Sequence, residues 1–102
     1  MKNNEMITLT YSNKKCFVEV MESEGDIFIE LYSVRGKKFQ ARASVSVGML
    51  PPGHVAIKDY SENSGMLQLL LDAKIVDKPI NYYRSGFVEI PICPVLVPTK
   101  EV

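Results

Sequence analysis

Tryptophan is missing from this sequence, histidine occurs once, and neither sign of charge is in excess. Twelve basic residues against twelve acidic ones leave a formal net charge of zero. That balance gives no strong basic footprint for nucleic acid and equally no acidic mimic of DNA, although local patches remain open. The two cysteines, Cys16 and Cys93, stand far apart and belong to no CxxC or Cys/His spacing, so no metal set is expected. Each lies in an apolar, strand-like run and reads as a buried reduced thiol; a disulfide would require the two runs to be neighbours.

Long hydrophobic runs are also lacking. The apolar stretch "IPICPVLVP" is too short and too interrupted by proline to cross a bilayer, and "MKNNEMITL" has no signal-peptide core. The expectation is a protein with no membrane contact, cytoplasmic, folded as a single domain over residues 1–102. With 46% hydrophobic and 24% charged residues, the composition is that of a compact globular domain. A chain this short buries one modest core, which leaves room for a partner or a homo-oligomer to contribute stability.

The first half alternates apolar and polar residues with period two, the signature of half-buried strands. "ITLTY" sets Ile7, Leu9 and Tyr11 on one face. "CFVEVM" and "DIFIELYSV" flank "ESEG", a hairpin signal in which Gly25 supplies positive φ. A two-residue turn at Glu24 and Gly25 pairs Val20 with Ile29 and Val18 with Leu31, and it sets Glu19 against Glu30. The reverse face then carries Phe17, Glu19, Met21, Phe28, Glu30 and Tyr32, a mixture of rings and carboxylates that is neither plainly core nor plainly solvated. After the "RGKK" turn, "FQARASVSV" alternates, which directs Ala41, Ala43, Val45 and Val47 inward and Gln40, Arg42, Ser44 and Ser46 outward.

"GMLPPG" breaks this pattern, "HVAIKDY" forms a short strand, and a leucine-rich helix follows over about residues 64–74. "INYY" and "GFVEIPIC" close the chain as strands, with Pro91 and Pro94 suited to an edge or to the sheet's end. The fold class is α+β, a mainly antiparallel sheet of about five to seven strands with one helix. One helix cannot cover both sides of such a sheet, so the sheet either curls on itself or uses its second face for association.

Two blocks carry a resemblance. "CFVEVMESEGDIFIELYSV" resembles the opening hairpin of a family of small uncharacterised proteins encoded on bacterial conjugative elements and phages. "LPPGHVAIKDYSENSGMLQLLLDAKIV" is similar to the same family's proline-rich approach, strand, polar segment and helix, and "SGFVEIPIC" resembles its closing strand. "RGKKFQARASVSV" is an addition to that pattern. The resemblance implies an accessory protein of a mobile element, and it brings no catalytic residue with it.

The polar run Lys58 to Asn63 has two readings. Ser61 or Asn63 would cap the helix and Glu62 would complement its dipole; alternatively Lys58, Ser61, Asn63 and Ser64 would grip an anion. Glu19 and Glu30 are either two acids on a solvated face or a paired-carboxylate site of a small hydrolase. His54 reads as a loop histidine without ligand partners, and Tyr82, Tyr83 and Arg84 as hairpin packing or a stacking surface. No reaction centre assembles from these residues, and no cofactor is expected. The leading expectation is therefore a non-enzymatic interaction protein that binds a host protein or nucleoprotein. In the resemblance's terms this is an inhibitor of a bacterial defence system, of anti-CRISPR or anti-restriction type. The alternatives are a nucleotide or other small-ligand binder using the helix N-terminus, and the small hydrolase.

Overall fold

A computed structural model describes residues 7–102. Eight strands and one α-helix follow in order among them: β1 (Thr8–Tyr11), β2 (Lys14–Ser23), β3 (Asp26–Ser33), β4 (Phe39–Arg42), β5 (His54–Ala56), a 3₁₀ turn (Ser61–Asn63), α1 (Met66–Asp72), β6 (Asn81–Ser85), β7 (Val88–Pro94) and β8 (Lys100–Glu101). The fold is α+β, with predominantly antiparallel sheets, as the alternation predicts. Strands β1 to β4 pair in sequence order, and β8 adds to β2 in parallel beyond the end of β1. A second sheet has the order β5-β7-β6.

The β2–β3 hairpin adopts the expected register, with Val18 opposite Leu31 and Val20 opposite Ile29. Its two turn residues, Glu24 and Gly25, have φ of 52° and 87°, the left-handed pair that a two-residue turn needs to match the strands' twist. Period-two alternation then buries Cys16, Val18, Val20, Ile27, Ile29 and Leu31 against Val55, Ile57, Met66, Leu70, Ile75, Val76 and Cys93. Both cysteines are free thiols within that core.

The two sheets meet through residues 43–45. Ala43 N–H donates to the Ile29 carbonyl at 2.8 Å, Lys58 N–H to the Ala43 carbonyl at 2.8 Å, and Val45 N–H to the Ala56 carbonyl at 3.0 Å. The sheet therefore curls, and α1 seats Met66 and Leu70 in the enclosed core.

Alternation in "FQARASVSV" fails at two points. A bulge between Leu31 and Tyr32 lets Phe39 pair with Tyr32 and Arg42 with Glu30, so Phe39 and Arg42 share a face although three residues apart. Ser44, expected outward, is buried, and its hydroxyl oxygen accepts the Ile29 N–H at 3.0 Å. Here a side chain substitutes for the backbone acceptor that a regular strand would offer, so the residue must turn inward.

The helix starts at Met66, two residues from the expected Ser64, but neither Ser61 nor Asn63 caps it. Asp59 Oδ1 accepts the N–H groups of Gly65 at 2.9 Å and Leu67 at 3.0 Å. The cap comes from farther back because the 3₁₀ turn folds the chain between Asp59 and the helix. Gly65 sits at the N-cap with φ of 96°, a conformation that favours glycine.

Candidate functional site

The register of β2 and β3 places the six sequence-predicted face residues together. Phe17 lies opposite Tyr32, Glu19 opposite Glu30 and Met21 opposite Phe28. All six are half-buried, whereas the neighbouring Phe39 is 55% exposed. Cross-strand neighbours on one face of a sheet are close enough for ring contact. The Phe17 and Tyr32 rings stack at 5.6 Å with 17° between their planes, and Phe39 meets Tyr32 edge-on at 5.8 Å. A three-ring ladder thus crosses β2, β3 and β4.

Charged groups thread the same face. Tyr32 donates its hydroxyl to Glu30 Oε1 at 2.8 Å, while Arg42 donates to Glu30 Oε2 through Nη2 at 2.8 Å and Nε at 3.2 Å. The Tyr32 hydroxyl holds the Glu30 carboxyl below its ordinary pKa; burial opposes this and the Arg42 guanidinium reinforces it. The same bond raises the Tyr32 phenol, since an ionised acceptor favours the protonated donor. Glu19 pairs with Lys100 at 3.7 Å. Two like charges directly opposite would destabilise the hairpin, and each is offset by its own cation. Glu30 is thereby favoured as an anion, bonded through both carboxylate oxygens to Tyr32 and Arg42.

The anion-binding set does not converge. Lys58 Nζ donates to Glu62 Oε2 at 2.8 Å, and that bond raises the lysine's pKa and lowers the glutamate's. Asn63 is buried and donates through Nδ2 to the Arg42 carbonyl at 2.8 Å, which ties the 3₁₀ turn to β4. Ser61 and Ser64 are exposed, and the Gly65 and Leu67 amides belong to Asp59. The polar run is the fastening of a helix start, with Asp59 in the role that sequence reasoning assigned to Ser61 or Asn63.

No family model, curated protein or solved structure matches this chain. The resemblance to mobile-element proteins therefore rests on its two sequence blocks, and no residue role is transferred from a relative. Among the described residues no group of three His, Cys, Asp or Glu side chains is arranged to hold a metal ion, and no helix is long and apolar enough to cross a membrane. His54 opens β5 with Nδ1 2.9 Å from the Pro52 carbonyl oxygen.

Two features differ in part from the sequence reading. Phe39 completes the ring ladder, and only the bulge brings it there; Arg42 faces outward as alternation predicts, but its clamp on Glu30 was not foreseen. Of the two readings of Tyr82 and Tyr83, hairpin packing does not hold: they are 53% and 45% exposed on β6, an outer strand of the second sheet, and Arg84 pairs with Glu89 at 2.9 Å. Of the two positions expected for the prolines, Pro94 ends its strand, but β7 is central between β5 and β6, so Pro91 lies in an inner strand.

Proposed function

We propose that the chain is a non-enzymatic interaction protein whose docking surface is the outer face of β2, β3 and β4. The observation that carries this reading is the half-exposed Phe17–Tyr32–Phe39 ladder with Glu30, Arg42, Glu19 and Lys100 set around it. Aromatic rings and an arginine, surrounded by groups that keep their polar contacts, are the composition of protein interfaces. Because Glu30 already holds both Arg42 and Tyr32, these side chains lose little freedom when a partner covers them.

The partner is a protein or nucleoprotein of the host, and inhibition of a bacterial defence complex is the form of the reading that the sequence resemblance supports. Phe39→Ser and Phe28→Ser test the surface. Both variants are expected to keep the wild-type circular dichroism spectrum and lose capture of the partner from host lysate, while Tyr82→Ser on the other sheet retains it. Equal capture by wild type and both variants refutes the proposal. Loss of self-association in the same variants, read by sedimentation, would assign the face to a homo-oligomer instead.

A further inference from the structure

Where the two sheets part company, a cleft of about 470 Å³ opens between the β2–β3 turn and the segment leading into β5. One wall is the edge of β3 and the other is the irregular segment from Ser44 to Leu50. The Val102 N–H donates to the Glu22 carbonyl, so Glu22 directs its backbone carbonyl toward β8, and Ile27, its register partner on β3, turns its backbone groups away from β2. One pair farther along, Ile29 uses the same outward direction to receive Ala43 and to reach Ser44. Alternation in an antiparallel ladder therefore turns the Ile27 N–H and C=O into the cleft. Among the described residues neither finds a partner, and Ser46, Val47 and Gly48 on the facing wall make no backbone hydrogen bond.

The lining is apolar where the chain enters, through Ile27, Phe28, Val45 and Ala56, and charged at the rim. On one rim the exposed Glu24 and Asp26 have no salt-bridge partner among the described residues. On the other, Arg42 is committed to Glu30 and Lys58 to Glu62. The uncompensated charge is negative. With Arg42 and Lys58 already engaged, the cleft offers a small anion no unpaired lysine or arginine among the described residues; what it offers is unpaired backbone beside apolar surface.

We propose that this cleft receives an extended peptide segment bearing basic side chains, which adds as a strand to the Ile27 edge of β3. Backbone bonds to Ile27 would supply the anchoring, alternate side chains of the segment would lie on the apolar lining, and Lys or Arg would meet Glu24 and Asp26. Phe28 and Arg42 border both this cleft and the β2–β4 face, but Phe17, Tyr32 and Phe39 of the ring ladder do not line it.

The test uses the full chain and random heptapeptides displayed and selected on it. Selected sequences are expected to alternate Lys or Arg with Val, Ile or Tyr. A synthetic copy of the best one should shift the Ile27 and Ser46 amide resonances and slow hydrogen exchange at Ile27. Methylation of its alternate backbone nitrogens should weaken binding at least tenfold, as should the paired change Glu24→Lys and Asp26→Lys; Phe39→Ser should leave it unchanged. Selection of acidic peptides or of none, or resonance shifts confined to other strands, overturns the proposal. So does protection of the Ile27 amide in the free protein: at all concentrations it would mean that the chain closes the cleft itself, and only at high concentration that a second copy occupies it.

Discussion

Replacing Ser44 with alanine separates two descriptions of the same segment. By alternation Ser44 faces water, and its loss would change stability by less than about 0.5 kcal/mol, as for most surface positions. In the structure Ser44 is 3% exposed, and its hydroxyl is the acceptor for the N–H of Ile29, a residue that is completely buried. Removing the hydroxyl leaves that amide unpaired in an apolar core, a cost of about 1–3 kcal/mol. For a domain of this size each kcal/mol lowers Tm by roughly 5 °C, so Ser44→Ala should melt about 5–15 °C below wild type. The exposed Ser46→Ala serves as control and should melt with wild type. Native-state hydrogen exchange gives the local reading: the Ile29 amide should lose protection in Ser44→Ala while Leu31 keeps its own. If Ser44→Ala and Ser46→Ala melt together, the inward turn at Ser44 is wrong, and the junction built on it fails with it.

Asp59→Ala should cost about 1 kcal/mol, the usual scale for a helix cap, whereas Ser64→Ala, which caps nothing, should be neutral in the same denaturant titration. Leu70→Ala, in the centre of the core, should lose about 2–5 kcal/mol by chemical unfolding; a smaller loss would mean that α1 packs loosely. Glu30 is more acidic folded than unfolded, so its stabilisation is complete above the unfolded carboxylate pKa of about 4.3 and is lost as pH falls through the lower folded value. Glu30→Gln should accordingly flatten the acid limb of a Tm-against-pH curve and let the Tyr32 phenol, followed by NMR, titrate at lower pH than in wild type. Burial pushes the Cys93 thiol up to about 11, with Asp77 adding to it, so at neutral pH neither cysteine should react with Ellman's reagent until denaturant is added; prompt labelling of the native protein would contradict the buried placement.

The β2–β3 hairpin was legible because its signals are local and agree. Valines and isoleucines alternate on both sides of a two-residue turn, and one register satisfies them all. The ring face followed from that register without further information. Phe39 did not, because a bulge places one extra residue between Phe39 and Ala41, which moves Phe39 to the Arg42 side while Ala41, Arg42 and Ala43 keep the expected alternation. Ser44 was misplaced for a related reason: serine is small and polar enough to serve either side of a sheet, so its direction depends on whether a buried amide nearby lacks an acceptor. Asp59 was overlooked as a cap because the usual spacing places the cap at the residue before the helix, and here a 3₁₀ turn brings a more distant carboxylate to the same amides.

The junction and the cleft have one cause. A backbone acceptor opposite Ile29 would hold the next strand at the ordinary spacing of about 4.8 Å and carry the ladder on to Ile27. A side-chain oxygen reaches the amide from a backbone standing farther off, so the chain beyond Ser44 is already displaced from β3 when it passes Ile27. It is then claimed by the second sheet, through the Val45 bond to Ala56 and the Ser44–Ile57 bridge. The strand edge left uncovered at Ile27 is therefore the geometric consequence of the hydroxyl that joins the sheets. Open strand edges invite pairing, and natural sheets commonly guard them with charge. Glu24 and Asp26 stand at this one, where they repel acidic strands and a second copy's identical turn while leaving a basic strand free to enter.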